Sequence, residues 1–290
     1  MSKTTDLRDA PTLRIPVVGV FDSGVGGLTI YRKVEENLPG CSYVYCSDNA
    51  NFPYGPKSEA EVIACVREVC TRFIRNFSLD ILIIACNTAS TVALPVLRGE
   101  FRIPVIGVVP AIKPAAKRTL SGVIGLLATP GTIQRPYVQN LVKEFAPHCR
   151  VVSVGSSRLV QAAEAKAHGK PVDIELIRQE IQPLFSRSDQ SDERLDTVVL
   201  GCTHFPLIAD ELVAAASWPV QWIDSGEAIA ARTNVVLSEI GFSAFELERL
   251  KRREGEVARK AVVTKDNAES RLADPLFTSF GLEPRHLLGS

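Results

Sequence analysis

Two stretches decide how this chain is read: Ile83-Ile84-Ala85-Cys86-Asn87-Thr88 and Val199-Leu200-Gly201-Cys202-Thr203-His204. Each is a short apolar run that reaches a cysteine and then turns polar. Runs so uniformly apolar read as parallel strands covered on both faces, because a half-exposed strand would alternate. Outward from these two, strands are expected at 17–21, 42–46, 81–85, 105–109, 123–127, 151–154 and 198–200, with amphipathic helical segments between them. Ser58-Glu59-Ala60-Glu61, just after Tyr54-Gly55-Pro56, has the pattern of a capping box and predicts a helix running towards Phe77. Strand and helix in alternation give an α/β fold of the doubly wound kind.

The two halves echo one another. Val18-Gly19-Val20-Phe21-Asp22-Ser23-Gly24 resembles Ile124-Gly125-Leu126-Leu127-Ala128-Thr129-Pro130-Gly131, and each is followed by one of the cysteine stretches. Asp22 and Cys86 lie 64 residues apart, Ala128 and Cys202 lie 74 apart. Similar modules at similar spacing predict two pseudo-symmetric doubly wound α/β domains that face one another across a cleft. The crossings are expected near Val109-Pro110 and Trp222-Ile223. The first domain would then comprise 13–109 plus 223–290, the second 110–222, with a disordered arm at 1–12. Charged stretches at 187–196 and 251–260 read as a solvated loop and a helix face.

Composition narrows the function. The chain has 290 residues, 46% hydrophobic and 23% charged, enough to bury a sizeable core. Lys+Arg and Asp+Glu both number 33, so no net field attracts nucleic acid or an anionic membrane. No apolar run is long enough to span a bilayer, and the N-terminus lacks the apolar core of a signal peptide. Seven cysteines, an odd number in a core-forming chain, argue against a disulfide framework and for a reducing cytoplasm.

In an open α/β sheet, ligands bind beyond the carboxyl ends of the strands. Cys86 and Cys202 stand there, each before an expected helix start whose N–H dipoles favour a thiolate. Cys41, Cys65, Cys70 and Cys149 read as small buried hydrophobes instead. Asp22 ends the first strand and can reach the cleft beside Cys86; His204 lies two residues beyond Cys202; Glu164 can orient His204. The other histidines, His148, His168 and His286, read as surface positions. Two such thiols suit inversion of a carbon centre without redox chemistry, where one face loses a proton and the other gains one. An unperturbed thiol is only a few per cent ionised at neutral pH, and bringing one to about pH 7 takes roughly 2 kcal/mol. N–H groups and hydroxyls around Ser23, Asn87, Thr88 and Thr203 would hold a carboxylate and the developing charge. Other readings remain open. Gly24-Val25-Gly26-Gly27 lacks the dinucleotide spacing and follows an acidic residue. Cys202-x-His204 lacks paired zinc spacing. A Cys–His nucleophile for acyl transfer leaves Cys86 unexplained. A two-domain amino-acid-binding protein without catalysis would share the layout.

Four motifs carry a family resemblance: Phe21-Asp22-Ser23-Gly24-Val25-Gly26-Gly27-Leu28, Phe52-Pro53-Tyr54-Gly55, Ala85-Cys86-Asn87-Thr88-Ala89 and Leu200-Gly201-Cys202-Thr203-His204-Phe205-Pro206. Together they resemble the glutamate racemases, and the first two favour that branch over the aspartate and hydantoin racemases with the same paired cysteines. The resemblance implies cofactor-independent interconversion of L- and D-glutamate for peptidoglycan, without pyridoxal phosphate or metal. It implies Cys86 as base for the D-substrate, Cys202 for the L-substrate, and Asp22 and His204 as their helpers. Glutamate would be bound by Asp22, Ser23, Pro53, Tyr54, Gly55, Asn87, Thr88, Thr132, Thr203 and His204. Gly155-Ser156-Ser157 and Ala162-Ala163-Glu164-Ala165-Lys166 resemble the proteobacterial branch, some members of which take UDP-N-acetylmuramoyl-L-alanine as activator. The associated residues are Arg98, Gly107, Val108, Val109, Pro110, Ala111, Ile112 and Lys113. A monomer or homodimer is expected, and beyond about Glu254 the chain departs from the common family ending.

Overall fold

The computed structural model describes residues 14–186, 194–251, 257–268 and 270–289. The arm expected at 1–12 and most of the charged loop at 187–196 lie outside the described residues. Among the described residues ten strands form: β1 (Val17–Asp22), β2 (Ser42–Ser47), β3 (Ile81–Ile84), β4 (Val105–Gly107), β5 (Val123–Ala128), β6 (Arg150–Gly155), β7 (Thr197–Leu200), β8 (Gln221–Ile223), β9 (Arg259–Val263) and β10 (Glu283–Leu287). They build a six-stranded sheet, β10-β9-β2-β1-β3-β4, and a four-stranded sheet, β6-β5-β7-β8. Every pairing is parallel.

The repeat is topological as well as sequential. In the first sheet the leading strand has its successor on one side and the third strand on the other, and the second sheet repeats that order. Phe21 pairs with Ile84, and Leu127 pairs with Leu200. The registers therefore coincide, and each cysteine emerges two residues beyond equivalent pairs.

Alternation along the strands sends side chains to both faces, and both are covered. Val18, Val20, Ile81 and Ile83 pack with the helices Leu28–Asn37 and Gly226–Glu239. Phe21, Leu82 and Ile84 pack on the other face with Glu59–Asn76 and Asn87–Glu100. In the second sheet Leu127, Val198 and Leu200 face one way, and Ile124, Leu126 and Val199 the other. Each such buried aliphatic side chain contributes roughly 1.5–3 kcal/mol. The capping box forms as the sequence predicts: Ser58 Oγ accepts from the Glu61 N–H, and the Glu61 carboxylate accepts from the Ser58 N–H at 2.9 Å.

One reading fails. Of the 251–260 stretch, residues 252–256 lie outside the described residues, and its end is no helix face: Arg259 and Lys260 open β9 beside β2. Its basic start hid a strand whose Ala261, Val262 and Val263 are fully buried. The Arg259 charge is accommodated by Glu35, 2.8 Å away.

Candidate active site

The carboxyl ends of β1, β3, β5 and β7 converge on one cleft, lined from both domains. Cys86 follows β3 as the N-cap of helix Asn87–Glu100 and is 6% exposed; Cys202 follows β7 and is 7% exposed. Ser23 Oγ lies 3.5 Å from the Cys86 sulfur. Bonds cross the cleft in several places. Thr203 Oγ1 donates to Asp22 Oδ1 at 3.5 Å, Thr29 Oγ1 reaches the Thr203 carbonyl at 3.1 Å, and Thr88 Oγ1 lies 3.3 Å from Thr132 Oγ1 and 3.4 Å from Thr129 Oγ1.

The two sulfurs sit in unlike surroundings. Burial, then the Asp22 carboxylate, push the Cys86 thiol up to about 12, against the opposing pull of Ser23 and the Ala89 N–H. The helix terminus expected to favour a thiolate there is present, but desolvation outweighs it. Beyond Cys202 no α-helix starts. A 3₁₀ turn, Phe205–Ile208, precedes helix Ala209–Ala215.

What Cys202 has instead is an imidazole. His204 Nδ1 lies 3.8 Å from the sulfur, and its Nε2 lies 2.6 Å from Glu164 Oε1. Glu164 comes from helix Arg158–Ala167 and also accepts from the Val25 N–H at 3.3 Å. Burial by itself would lower the His204 pKa, but the bonds to Cys202 and Glu164 prevail and hold it well above the ordinary imidazole value. Burial likewise raises Glu164, and the hydrogen bond and charge of His204 overcome it, so the carboxyl stays below its usual range. The pair is an ionised one. Asp22 goes the other way: full burial raises its pKa although His204 and the Gly24 and Gly27 N–H groups oppose that.

The glycine run after β1 is explained by packing. A Cβ on Gly26 would collide with the His204 ring, and one on Gly27 would come within 2.7 Å of Asp22 Cβ. Close approach of side chains, not of a phosphate, requires glycine there.

The remaining predicted residues divide. Asn87 is 3% exposed, and its side-chain oxygen is a buried acceptor without a partner. Tyr54 is buried, but its hydroxyl is taken by Asp48 at 2.5 Å, leaving the backbone of Tyr54 and Gly55 towards the second domain, where Gly55 lies against Thr129. Pro53 is exposed at the rim. Of the residues expected for an activator, Val109, Pro110, Ala111 and Lys113 line a separate cavity of about 480 Å³ beside Lys117 and Arg118. Val108 and Ile112 are buried in the core, and Arg98 Nε donates to the Val105 carbonyl at 3.1 Å. Sequence reading missed Thr129, the counterpart of Ser23 in the repeat, which the echo Ala128-Thr129-Pro130 already marked. It also missed Asp48 and Thr264, bonded at 2.8 Å from β2 and β9 to hold the Tyr54 loop, and placed His168 on the surface although Glu164 Oε2 lies 3.9 Å from its Nε2. Among the described residues no cluster of His, Cys, Asp and Glu could hold a metal ion, and no helix is long and apolar enough to cross a membrane.

The family model of the Asp/Glu/hydantoin racemases matches residues 18–233, which include Asp22, Cys86, Glu164, Cys202 and His204. The chain belongs to that family. A glutamate racemase of Pasteurella multocida is 50% identical over 225 residues, 78% of this chain and 82% of that protein. Among solved structures, Escherichia coli glutamate racemase in complex with L-glutamate and the activator UDP-MurNAc-Ala superposes with a TM-score of 0.85 at 40% identity, covering 95% of this chain and 99% of that one. The RacE1 isoform of Bacillus anthracis glutamate racemase gives 0.74 at 30% identity, over 94% and 96% of the two chains. The two-sheet α/β architecture is thus that of the family.

Proposed function

We propose that this racemase interconverts L- and D-glutamate, with Cys202 and Cys86 as the two proton-transfer groups on opposite faces of the α-carbon. The observation that carries the reading is the coincident register that brings the two sulfurs from equivalent strand ends into one cleft. Half-identical relatives that act on glutamate support the substrate.

In the direction from L to D, Cys202 takes the α-proton with His204 and Glu164 supporting it, and Cys86 supplies a proton to the other face. The raised pKa keeps Cys86 a thiol before substrate arrives, which is the form a donor needs. The return direction uses Cys86 as base. The unpartnered Asn87 oxygen is suited to accept from the substrate ammonium, and the hydroxyls of Ser23, Thr88, Thr132 and Thr203 with the Gly55 backbone to hold its carboxylates. These donors are in place before the reaction and meet the developing charge without reorganising. Chemistry of this kind needs no cofactor. Lys113, Lys117 and Arg118 around an apolar pocket with Phe145 suit a nucleotide diphosphate linked to a sugar, and support UDP-N-acetylmuramoyl-L-alanine as activator at that second cavity.

Incubation with L-glutamate in deuterated water tests the reaction. The expected product is D-glutamate carrying deuterium at the α-carbon. Absence of exchange with either enantiomer, with and without the nucleotide activator, would refute it; an acyl-thioester trapped on Cys202 would favour a hydrolase instead.

A further inference from the structure

Two aromatic rings meet across the cleft. His204 follows β7 of the second sheet, whereas Phe52 lies in the loop after β2 of the first, two residues before Tyr54. Their centroids are 5.8 Å apart and their planes are tilted by 36°, within the range of aromatic contact. Phe52 packs on the buried cluster of the second sheet that holds Leu127, Val198, Cys202 and Phe205, although the first sheet carries it. The glycine run makes the room. A Cβ on Gly24 would come within 2.6 Å of Glu164 Oε1 and 3.1 Å of the Phe52 ring, and one on Gly26 would collide with the His204 ring. Carboxylate, imidazole and phenyl ring therefore sit side by side in space that two missing side chains leave. Phe52 and Glu164 also line a cavity of about 420 Å³ with Asn49, His168 and Lys170, while His204, in contact with both, is 3% exposed.

The imidazole needs more than its hydrogen bond to be aimed. Nε2 is tied to Glu164 at 2.6 Å, but Nδ1 stands 3.8 Å from the Cys202 sulfur, the looser of the two contacts. The terminal torsion of a histidine is broad, so one strong bond leaves the plane of the ring loosely set. A misplacement of about 1 Å in a reacting arrangement can cost roughly 10²-fold in rate. Water reaching the pair from the cavity would also weaken the attraction between its charges, which is stronger in a dry site than in solvent.

We propose that Phe52 is a positioning residue for Cys202: its ring fixes the plane of the His204 imidazole so that Nδ1 addresses the sulfur, and it keeps cavity water off the His204–Glu164 bond. The inference rests on the function proposed above. The loop that presents the Gly55 backbone to the second domain thereby also seats the partner of Cys202, so one segment serves both binding and chemistry. Phe52 itself moves no proton.

A double-mutant comparison separates action through His204 from damage to the fold. Phe52→Ala should lower kcat/KM about tenfold from either enantiomer with KM changed no more than about twofold, since the substrate loop keeps its bond from Tyr54 to Asp48. Phe52→Tyr, which keeps the ring, should stay within about twofold of wild type. In a His204→Asn background, where no imidazole is left to seat, Phe52→Ala should cost no more than about twofold further. Phe52→Leu keeps apolar volume without a flat face and carries the same comparison if the alanine variant does not fold; it should lose about fivefold alone and less than about twofold beside His204→Asn. Equal losses in the two backgrounds would overturn the positioning role, as would a loss confined to KM, a loss that Phe52→Tyr shares, or no loss at all. Wild-type protein that turns over no glutamate would overturn the function itself and this role with it; normal wild-type turnover with any of the contrary variant results would overturn the role of Phe52 alone.

Discussion

Replacing Glu164 by Gln removes the charge from the Glu164–His204 pair and leaves the shape and a hydrogen-bonding oxygen behind. The bond is 2.6 Å long and buried, with the carboxylate side chain 14% exposed, so solvent screens it little. Net contributions of charge-assisted bonds run at about 1.5–3 kcal/mol, which corresponds to roughly 10- to 150-fold in rate if the pair acts in the transition state. Enantiomers in water have equal free energies, so the loss in kcat/KM must be the same from L-glutamate as from D-glutamate; only kcat and KM taken separately can divide unequally. The pH dependence follows from the opposing shifts. His204 is raised, so its contribution to stability is complete below the unfolded imidazole value and is lost as pH rises through the folded one. Glu164 is lowered, so its contribution is present above the ordinary carboxylate range and is lost as pH falls through its folded value. In the variant the Glu164 charge no longer opposes the burial of His204, and the alkaline limb of kcat/KM should move to lower pH. Polarimetric rates from both enantiomers between pH 5 and 10, values taken to span the ordinary His and Cys range, provide the assay. An alkaline limb at the wild-type position would refute the claim that this carboxylate sets the charge on His204.

Cys86→Ser and Cys202→Ser should each lower kcat/KM about 10²- to 10⁴-fold, the usual range for removing a general acid or base, and near wild-type turnover by either variant would refute the two-thiol assignment. Gly26→Ala should destabilise the fold by about 1–3 kcal/mol in urea melts and depress turnover, because the added methyl meets the His204 ring. Lys117→Ala and Arg118→Ala should each weaken binding of the nucleotide activator roughly tenfold by calorimetry, more at low salt, without changing activator-free kcat/KM.

The parts of the fold visible in sequence were those written by uniform burial. β1, β3, β5 and β7 are apolar almost throughout because helices cover both faces, and the cysteines that follow were placed at the cleft by that alone. β9 and β10 were not legible. β9 begins Arg259-Lys260, and the strand character of β10 rests on the parallel neighbour it adds to at the sheet edge. The site divided along a similar line. Asp22 ends a strand and Cys86 and Cys202 follow theirs, so all three could be located by counting; Glu164 is also named in sequence as able to orient His204, but the contact itself forms across 40 residues because two elements pack. The direction of the Cys86 shift was misjudged for a related reason. A helix terminus is visible in sequence, but the depth of burial that outweighs it is a property of the assembled domain.

Duplication and divergence do separate work in this cleft. The repeated register gives two sulfurs equivalent positions, and a perfectly symmetric pair would give them equivalent proton affinities too. Inversion requires the opposite: at any moment one group must hold a proton and the other must lack it. The positions around the cysteines have diverged accordingly. Asp22 at the end of β1 corresponds to Ala128 at the end of β5, and Thr88, two residues past Cys86, corresponds to His204, two past Cys202. A carboxyl group and deep burial on one side keep a thiol protonated; an imidazolium held by Glu164 is placed to donate to the sulfur on the other. On the proposed mechanism this inequality cannot favour either product, since the equilibrium between enantiomers is not the enzyme's to change. It selects which protonation form of the free protein waits for substrate, and therefore which enantiomer finds the site ready.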